Sequence, residues 1–453
     1  MPTRDEAGST VSLRLPARLG FDKGIAACWW RTFFPSLGLF LLTAAFVVTK
    51  TGRDALFFQR GGLLDLPKAY LGIAVLSAPA AAIMLRLIAA FGPRRARVLG
   101  LCLMAALQCV FYAVAEPGGG WAMTLFFILV PLLYGVLLSI AWLLGADLLD
   151  RVPPYLLGRL YATIGASSML GGFTGAAACR RMAASLQPET FLLVGAALLL
   201  LAAAVNTAAW RLFPVDVAQE KEGPMPAPPR VPSSGAVVSL LRHRYLALLA
   251  ATGLMGAVVG VIIEFQFYAA VSSASSSSRD ALRLFANLYM LLNGAAVLVQ
   301  LVATPMLQRA FGVYGSLMIL PASLFGVSAM VAWSATSATQ TALRVAEGGI
   351  KSSIHRSNWE QSYLPVMREQ RAAAKLLVDG MAARIGEGAA AAVLIASVSL
   401  GAADGFVWLN AVIVAGTVVW LGLAFLLRRS RRTPGLIPAS DAEFRPDLPI
   451  PDG

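Results

Sequence analysis

Residues 344–387 read RVAEGGIKSSIHRSNWEQSYLPVMREQRAAAKLLVDGMAARIGE. Arg344, Glu347, Lys351 and His355 recur at helical spacing along one apolar segment, and Lys375, Asp379, Arg384 and Glu387 do the same along the next. Positions i, i+3 and i+7 share one face of a helix, so Arg344, Glu347 and Lys351 line up. The segments otherwise look built for lipid. A charge at a bilayer centre costs about 2.5–3.5 kcal/mol even on the lenient insertion scale, so such charges face a protein interior or a water-filled path. A long basic side chain at a helix end can instead snorkel to the interface. Two successive segments carrying such series favour a lined pathway through a helical membrane protein. The turn between them is expected to place His355 to Arg371 near water. That leaves Glu347, Lys351, Asp379 and Arg384 as the costly set, with Lys375 nearer the cytoplasmic entrance.

The rest of the chain agrees with that class. Of 453 residues 58% are hydrophobic and 13% charged, with a mean hydropathy of +0.70. Soluble domains average about 45–50% apolar and about 25% charged. The basic excess, 37 Lys and Arg against 24 Asp and Glu, fits loops held in the cytoplasm by positive charge better than nucleic-acid binding. Cys28, Cys102, Cys109 and Cys179 have no metal-ligand spacing and read as small packing residues. The first thirty residues lack a signal-peptide pattern, so the first membrane helix is expected to act as an uncleaved insertion signal.

A membrane helix needs about 20 largely apolar residues. On that scale the chain is all-α with about twelve spans. The first six are Phe33–Lys50, Tyr70–Phe91, Val98–Ala115, Met123–Leu144, Leu160–Ala178 and Phe191–Leu212. The second six are Tyr245–Val271, Leu284–Leu307, Tyr314–Trp333, Thr341–Ile354, Ala374–Ser397 and Phe406–Leu427. With the N-terminus inside, the cytoplasm receives Arg14, Arg18, Lys23, Arg94, Arg95, Arg97, Arg151, Arg242, Arg244, Arg368, Arg371 and the Arg428–Arg432 cluster. Arg60, Lys68, Arg180, Arg181 and Arg279 are the exceptions on the other side. Both termini are therefore expected in the cytoplasm of a bacterial inner membrane.

Pro224, Pro226, Pro228, Pro229 and Pro232 mark an extended linker. The expected organisation is a cytoplasmic segment at 1–32, a six-helix bundle at 33–213 and the linker at 214–240. A second six-helix bundle at 241–427 and a basic, Pro-rich tail at 428–453 complete it. Six spans, a linker and six more is the layout of a major-facilitator-type transporter, whose halves rock about a midplane site.

Other residues bear on chemistry. Lys50 and Asp54, four apart at the end of the first span, share a face, with Arg53 beside them. They make either an interfacial ion pair or a basic site in which Asp54 orients the cations. Glu264 follows the apolar run 254–263 and either pairs with a cation on another helix or takes up a proton. Lysine suits phosphate as a point charge, while arginine binds phosphate or carboxylate bidentately, so several cations with fewer acids favour anions. Asp147 reads as a polar helix terminus. Gly165, Gly171, Gly172 and Gly175 allow close helix approach. No catalytic triad, metal cluster or Walker motif is present, and the two histidines are His243 and His355. No enzymatic role and no cofactor are expected.

Three motifs carry a family resemblance: Thr51-Gly52-Arg53-Asp54-Ala55-Leu56, Glu264-Phe265-Gln266-Phe267, and Ser357-Asn358-Trp359-Glu360-Gln361-Ser362-Tyr363-Leu364-Pro365. The last is followed by Lys375-Leu376-Leu377-Val378-Asp379 and Arg384-Ile385-Gly386. Together they resemble the nucleotide transporter family, the ATP/ADP translocases and their free-living bacterial relatives. The resemblance implies that Arg53, Glu264 and Lys375 stand where family members need charge for transport. Where translocases carry a glutamate in span four, this chain reads Leu133-Tyr134-Gly135, which counts against ADP/ATP exchange.

The expected function is secondary transport of a small anionic, phosphorylated or nucleotide-like metabolite by a monomer in the bilayer, with no nucleic-acid partner. Arg53, Glu264, Lys351 and Lys375 would bind substrate, and Lys50, Asp54, Glu347, Asp379 and Arg384 would couple or pair. A proton-coupled exporter of hydrophobic compounds and a non-transporting scaffold or sensor subunit are the alternatives.

Overall fold

The computed structural model describes residues 23–60, 63–114, 119–149, 154–212, 242–275, 277–334, 336–363, 365–366, 374–399 and 407–430. The linker at 214–240, most of the tail, and the expected loop cations Arg14, Arg18, Arg151, Arg368 and Arg371 lie outside the described residues, as does the side chain of Asp147.

The described chain is helical. The first half holds α1 (Lys23–Arg60), α2 (Leu66–Val114), α3 (Gly119–Leu149), α4 (Pro154–Met182) and α5 (Thr190–Leu212). The second half holds α6 (Arg244–Ala274), α7 (Ser278–Leu298), α8 (Thr304–Leu317), α9 (Ile319–Trp333), α10 (Ser337–Ile350), α11 (Arg356–Gln361), α12 (Ala383–Ser399) and α13 (Val407–Ser430). Two glycines mark reversals of the chain inside apparently continuous helices. Gly92, at φ 77°, breaks α2, and Gly312, at φ 66°, breaks α8. Only glycine takes that left-handed backbone without penalty, which lets the chain reverse in about one residue. Counted across these breaks, the described residues make twelve helical passes. Nine helical stretches among them are long and apolar enough to cross a bilayer by length and composition.

Two expected boundaries are corrected. Helix α1 continues to Arg60, so Lys50, Arg53 and Asp54 lie inside the first span rather than at its end. The tenth span is not short: α10 runs through a π-helical turn at Lys351–His355 straight into α11. Residues expected near water are therefore packed, with Asn358, Trp359, Ser362 and Tyr363 all buried. The apolar count ended that span early because polar residues that face other helices look like loop to a hydropathy reading.

Helix α1 begins at what we call the near face of the bundle and ends at the far face. Trp29 and Trp30 are exposed at its near end, and Trp121 and Trp333 at far-face helix ends, as expected of aromatic belts at two interfaces. Helices α1 and α4 approach closely through small residues: a Cβ at Gly171 would lie 2.2 Å from the Phe40 carbonyl oxygen. Across the halves, a Cβ at Gly172 would meet Asn293 at 2.4 Å.

The buried apolar residues show how the halves meet. The largest cluster draws on both halves and lies toward the far face, with Ala55, Phe57 and Tyr70 against Tyr268, Leu282 and Phe285. The next two stay within one half each, one around Met104, Phe126 and Leu199 and one around Tyr245, Trp359 and Leu427.

Candidate functional site: a membrane-embedded ion cluster

Two passes of the second half, α6 and α10 with its π-helical continuation, bring their charges to α1. Lys50 Nζ donates to Glu264 Oε1 at 3.2 Å, and Arg344 Nη2 reaches the same oxygen at 2.7 Å. Arg344 also pairs with Glu347 through Nη1, and Lys351 Nζ donates to the other Glu347 oxygen at 2.8 Å. Helix geometry sets part of this chain, since Glu347 and Lys351 are four apart and Arg344 and Glu347 three apart. Only tertiary packing supplies Lys50 and Glu264.

One turn further along α1 sits a second set. Arg53 wraps onto Asp54, with Nε at 2.8 Å and Nη2 at 2.5 Å from Oδ1. Its guanidinium lies over the Phe127 ring at 4.0 Å, an arrangement that suits a weakly hydrated cation. The other Asp54 oxygen accepts from two tyrosines of the opposite half: Tyr268 at 2.9 Å, and Tyr289. The Tyr268 hydroxyl also lies 3.4 Å from Glu264 Oε1, so it touches both sets. Lys50 Nζ sits 4.9 Å from the Tyr289 ring centroid.

Burial grades across the cluster. Asp54 is fully buried, and Arg53, Arg344 and Glu347 are buried. Lys50 and Glu264 are partly open, and the Lys351 side chain is 49% exposed. The four cations Lys50, Arg53, Arg344 and Lys351 face three carboxylates, Asp54, Glu264 and Glu347. The cluster thus carries one more cation than anion, and its most exposed member is a cation.

The structure places the other candidate residues elsewhere. Lys375 Nζ pairs with Glu360 at 2.5 Å, not with Asp379 one turn along its own helix, and Arg356 shares that glutamate at 2.7 Å. Asp379 accepts from Trp359 Nε1 at 2.8 Å and from the Tyr363 hydroxyl at 2.7 Å. Arg384 pairs within its helix with Glu387 at 2.6 Å. Arg53, expected to line the path, is turned into protein onto Asp54.

Arg344, Tyr268, Tyr289 and Glu360 were not among the candidate site residues. Arg344 shares a helix face with Glu347 and Lys351 in the sequence, which is itself a signal. Tyr268 stands four residues after Glu264, which is a face-sharing signal. For Tyr289 the sequence carries no signal at all.

Solved structures with the same arrangement of helices exist. A crystal structure of a point mutant of the nucleoside transporter NupG matches with a TM-score of 0.65 at 14% identity, covering 88% of this chain and 99% of that one. Unmutated NupG gives 0.63 at 13% identity over 89% and 99% of the two chains. The fold is of the major-facilitator type. A D-xylose-proton symporter matches it as well, with a TM-score of 0.59 at 13% identity over 88% of this chain and 97% of the other. No family model and no curated protein matches the sequence. At these identities the likeness speaks for the major-facilitator fold, and the chemistry rests on this chain's own residues.

Proposed function

We propose that the chain is a secondary transporter that moves a small anionic metabolite by alternating access, with Lys351, Lys50 and Arg344 holding the anion. One observation carries this reading: the ion cluster between the halves has a cation in excess, and that cation, Lys351, is the member most open to solvent. An anion that reaches Lys351 completes the charge balance of a membrane-embedded site, where an uncompensated charge is costly. The transporters that share the fold, one for nucleosides and one for D-xylose with protons, support carriage of a small metabolite. A nucleotide or other phosphorylated compound, as the sequence resemblance suggests, is the first substrate class to test. Lys375 and Glu360 form a second charged group near the near face, on the substrate's way in or out. The near face is assigned to the cytoplasm, because Arg94, Arg95, Arg428 and Arg429 gather there.

The test is uptake into proteoliposomes. Labelled nucleoside monophosphates, sugar phosphates and uncharged nucleosides are offered to wild type and to Lys351→Gln. Saturable uptake of a phosphorylated compound, reduced roughly tenfold or more by loss of this charge-assisted contact, is expected. Uptake of uncharged nucleosides alone, or anion uptake indifferent to Lys351, overturns the anion assignment. No flux of any compound with a co-purifying partner would return the chain to the scaffold class.

A further inference from the structure

We propose that Tyr268 is the positioning residue that couples the anion site to closure of the far face. The inference rests on the transporter reading for its purpose, though not for its geometry.

The halves are joined toward the far face by the shared apolar cluster and by a small set of polar bonds. Two of these end on the same oxygen of Asp54, from Tyr268 and Tyr289, and a third is the pair of Lys50 with Glu264. Asp54 belongs to the first half and both tyrosines to the second, so neither bond survives separation of the halves at that face. Asp54 is fully buried and bound to Arg53 through its other oxygen. Pulling the tyrosines away would strip two donors from a buried carboxylate, which is costly unless water replaces them. Asp54 and the two hydroxyls therefore act as a latch that holds the far face shut.

The latch shares a group with the anion site. The Tyr268 hydroxyl donates to Asp54 at 2.9 Å and stands 3.4 Å from Glu264 Oε1, the oxygen that also holds Lys50 and Arg344. An anion that draws Lys50 and Arg344 toward itself leaves Glu264 short of donors. The nearest remaining hydroxyl is that of Tyr268, and turning it toward Glu264 takes a donor from Asp54. Substrate arrival would thus loosen the latch through one hydroxyl. Tyr289 bonds to Asp54 and not to Glu264. Its hydroxyl lies 3.4 Å from that of Tyr268 and its ring centroid 4.9 Å from Lys50 Nζ. Tyr289→Phe keeps the ring and removes a latch hydroxyl that has no bond to Glu264, so it serves as the comparison.

The reporter is Ala286→Cys in a background with the four native cysteines replaced by alanine. Ala286 is fully buried in the cluster that joins the halves. Its alkylation by a water-soluble maleimide is followed in nanodiscs, where both faces meet solvent and no substrate is needed. Tyr268→Phe and Tyr289→Phe are each expected to speed alkylation roughly tenfold or more, since each removes a hydrogen bond to a buried charge. Glu264→Gln, Tyr268→Phe and their double variant then form one cycle, with Tyr289→Phe replacing Tyr268→Phe in a second. Strong non-additivity in the Tyr268 cycle with near-additivity in the Tyr289 cycle is the expected result. Equal behaviour of the two cycles, or no acceleration by either phenylalanine, overturns the proposal. If Tyr268→Phe does not give folded protein, Asp54→Asn takes its place, and unchanged alkylation there is equally fatal. Loss of anion uptake specificity with the cycle intact would remove the substrate reading and leave the latch. Additive cycles with normal anion uptake would do the reverse.

Discussion

Glu347 is held by two cations and is buried, whereas Lys351, its partner, has half its side chain in solvent. The two ends of one ion pair therefore differ in what their removal costs. Taking away a buried partner strands a charge in low dielectric at about 3–5 kcal/mol, while loss of an exposed partner costs about 1 kcal/mol or less. Glu347→Ala is accordingly expected to lower the thermal unfolding midpoint of the purified protein by far more than Lys351→Gln does. Comparable shifts for the two variants would show that the cluster is wetter than its burial indicates. Anion uptake by folded protein should rank them the other way under the proposed function, because Lys351 is the member of the cluster most open to solvent. Most charges of this cluster were legible as anomalies of cost in an apolar sequence. Their pairing was not: Lys50 shares a face with Asp54, yet it bonds to Glu264, 214 residues away. Local spacing proposes partners, and the fold chooses among them by distance and desolvation.

Among the elements, α1 and α4 show how glycine sets helix contact. A Cβ at Gly171 would stand 2.2 Å from the Phe40 carbonyl and 2.4 Å from the Thr43 hydroxyl oxygen, and backbone cannot yield to it. Gly422 on α13 has open space instead. Gly171→Val is expected to abolish recovery of monodisperse protein in detergent, while Gly422→Ala leaves the yield unchanged. At Gly92 there is room for a Cβ but φ is 77°, so Gly92→Ala costs about 1–2 kcal/mol of backbone strain. A thermal midpoint equal to wild type would refute that. The small-residue run of α4 is enough, as sequence, to point to close packing. The π-helical turns leave no such mark. Those at Lys351–His355 and Leu376–Ala382 each carry a charged candidate residue, Lys351 in the first and Asp379 in the second. Such turns often occur at functional positions. They insert a residue into the helical register, and no composition or period marks the insertion because the local sequence would serve an ordinary α-helix equally well.

For the whole molecule, two halves meet through one shared apolar cluster and a few polar bonds. If that interface suffices, the covalent link at 214–240 is not needed for assembly. Residues 1–213 and 241–453 expressed as separate chains are expected to co-purify as a one-to-one complex with an unfolding midpoint close to that of the intact chain. Recovery of either half alone would place the organising interface elsewhere. The class of the molecule followed from the sequence by itself. Apolar stretches of spanning length, loop cations and a proline-rich interruption are properties of composition, and a bilayer imposes them on any chain that folds in it. The charged stretch at 344–387 likewise pointed to charges turned away from lipid, because a charge at membrane depth is too costly to leave facing it. Only the tertiary structure decided which charges face one another, that Arg53 turns into protein onto Asp54, and that Tyr268 stands between two carboxylates. Those facts depend on helices brought together from opposite halves, and the free energy of a buried ion or hydrogen bond is set by partners in space, which the order of residues along a chain does not record.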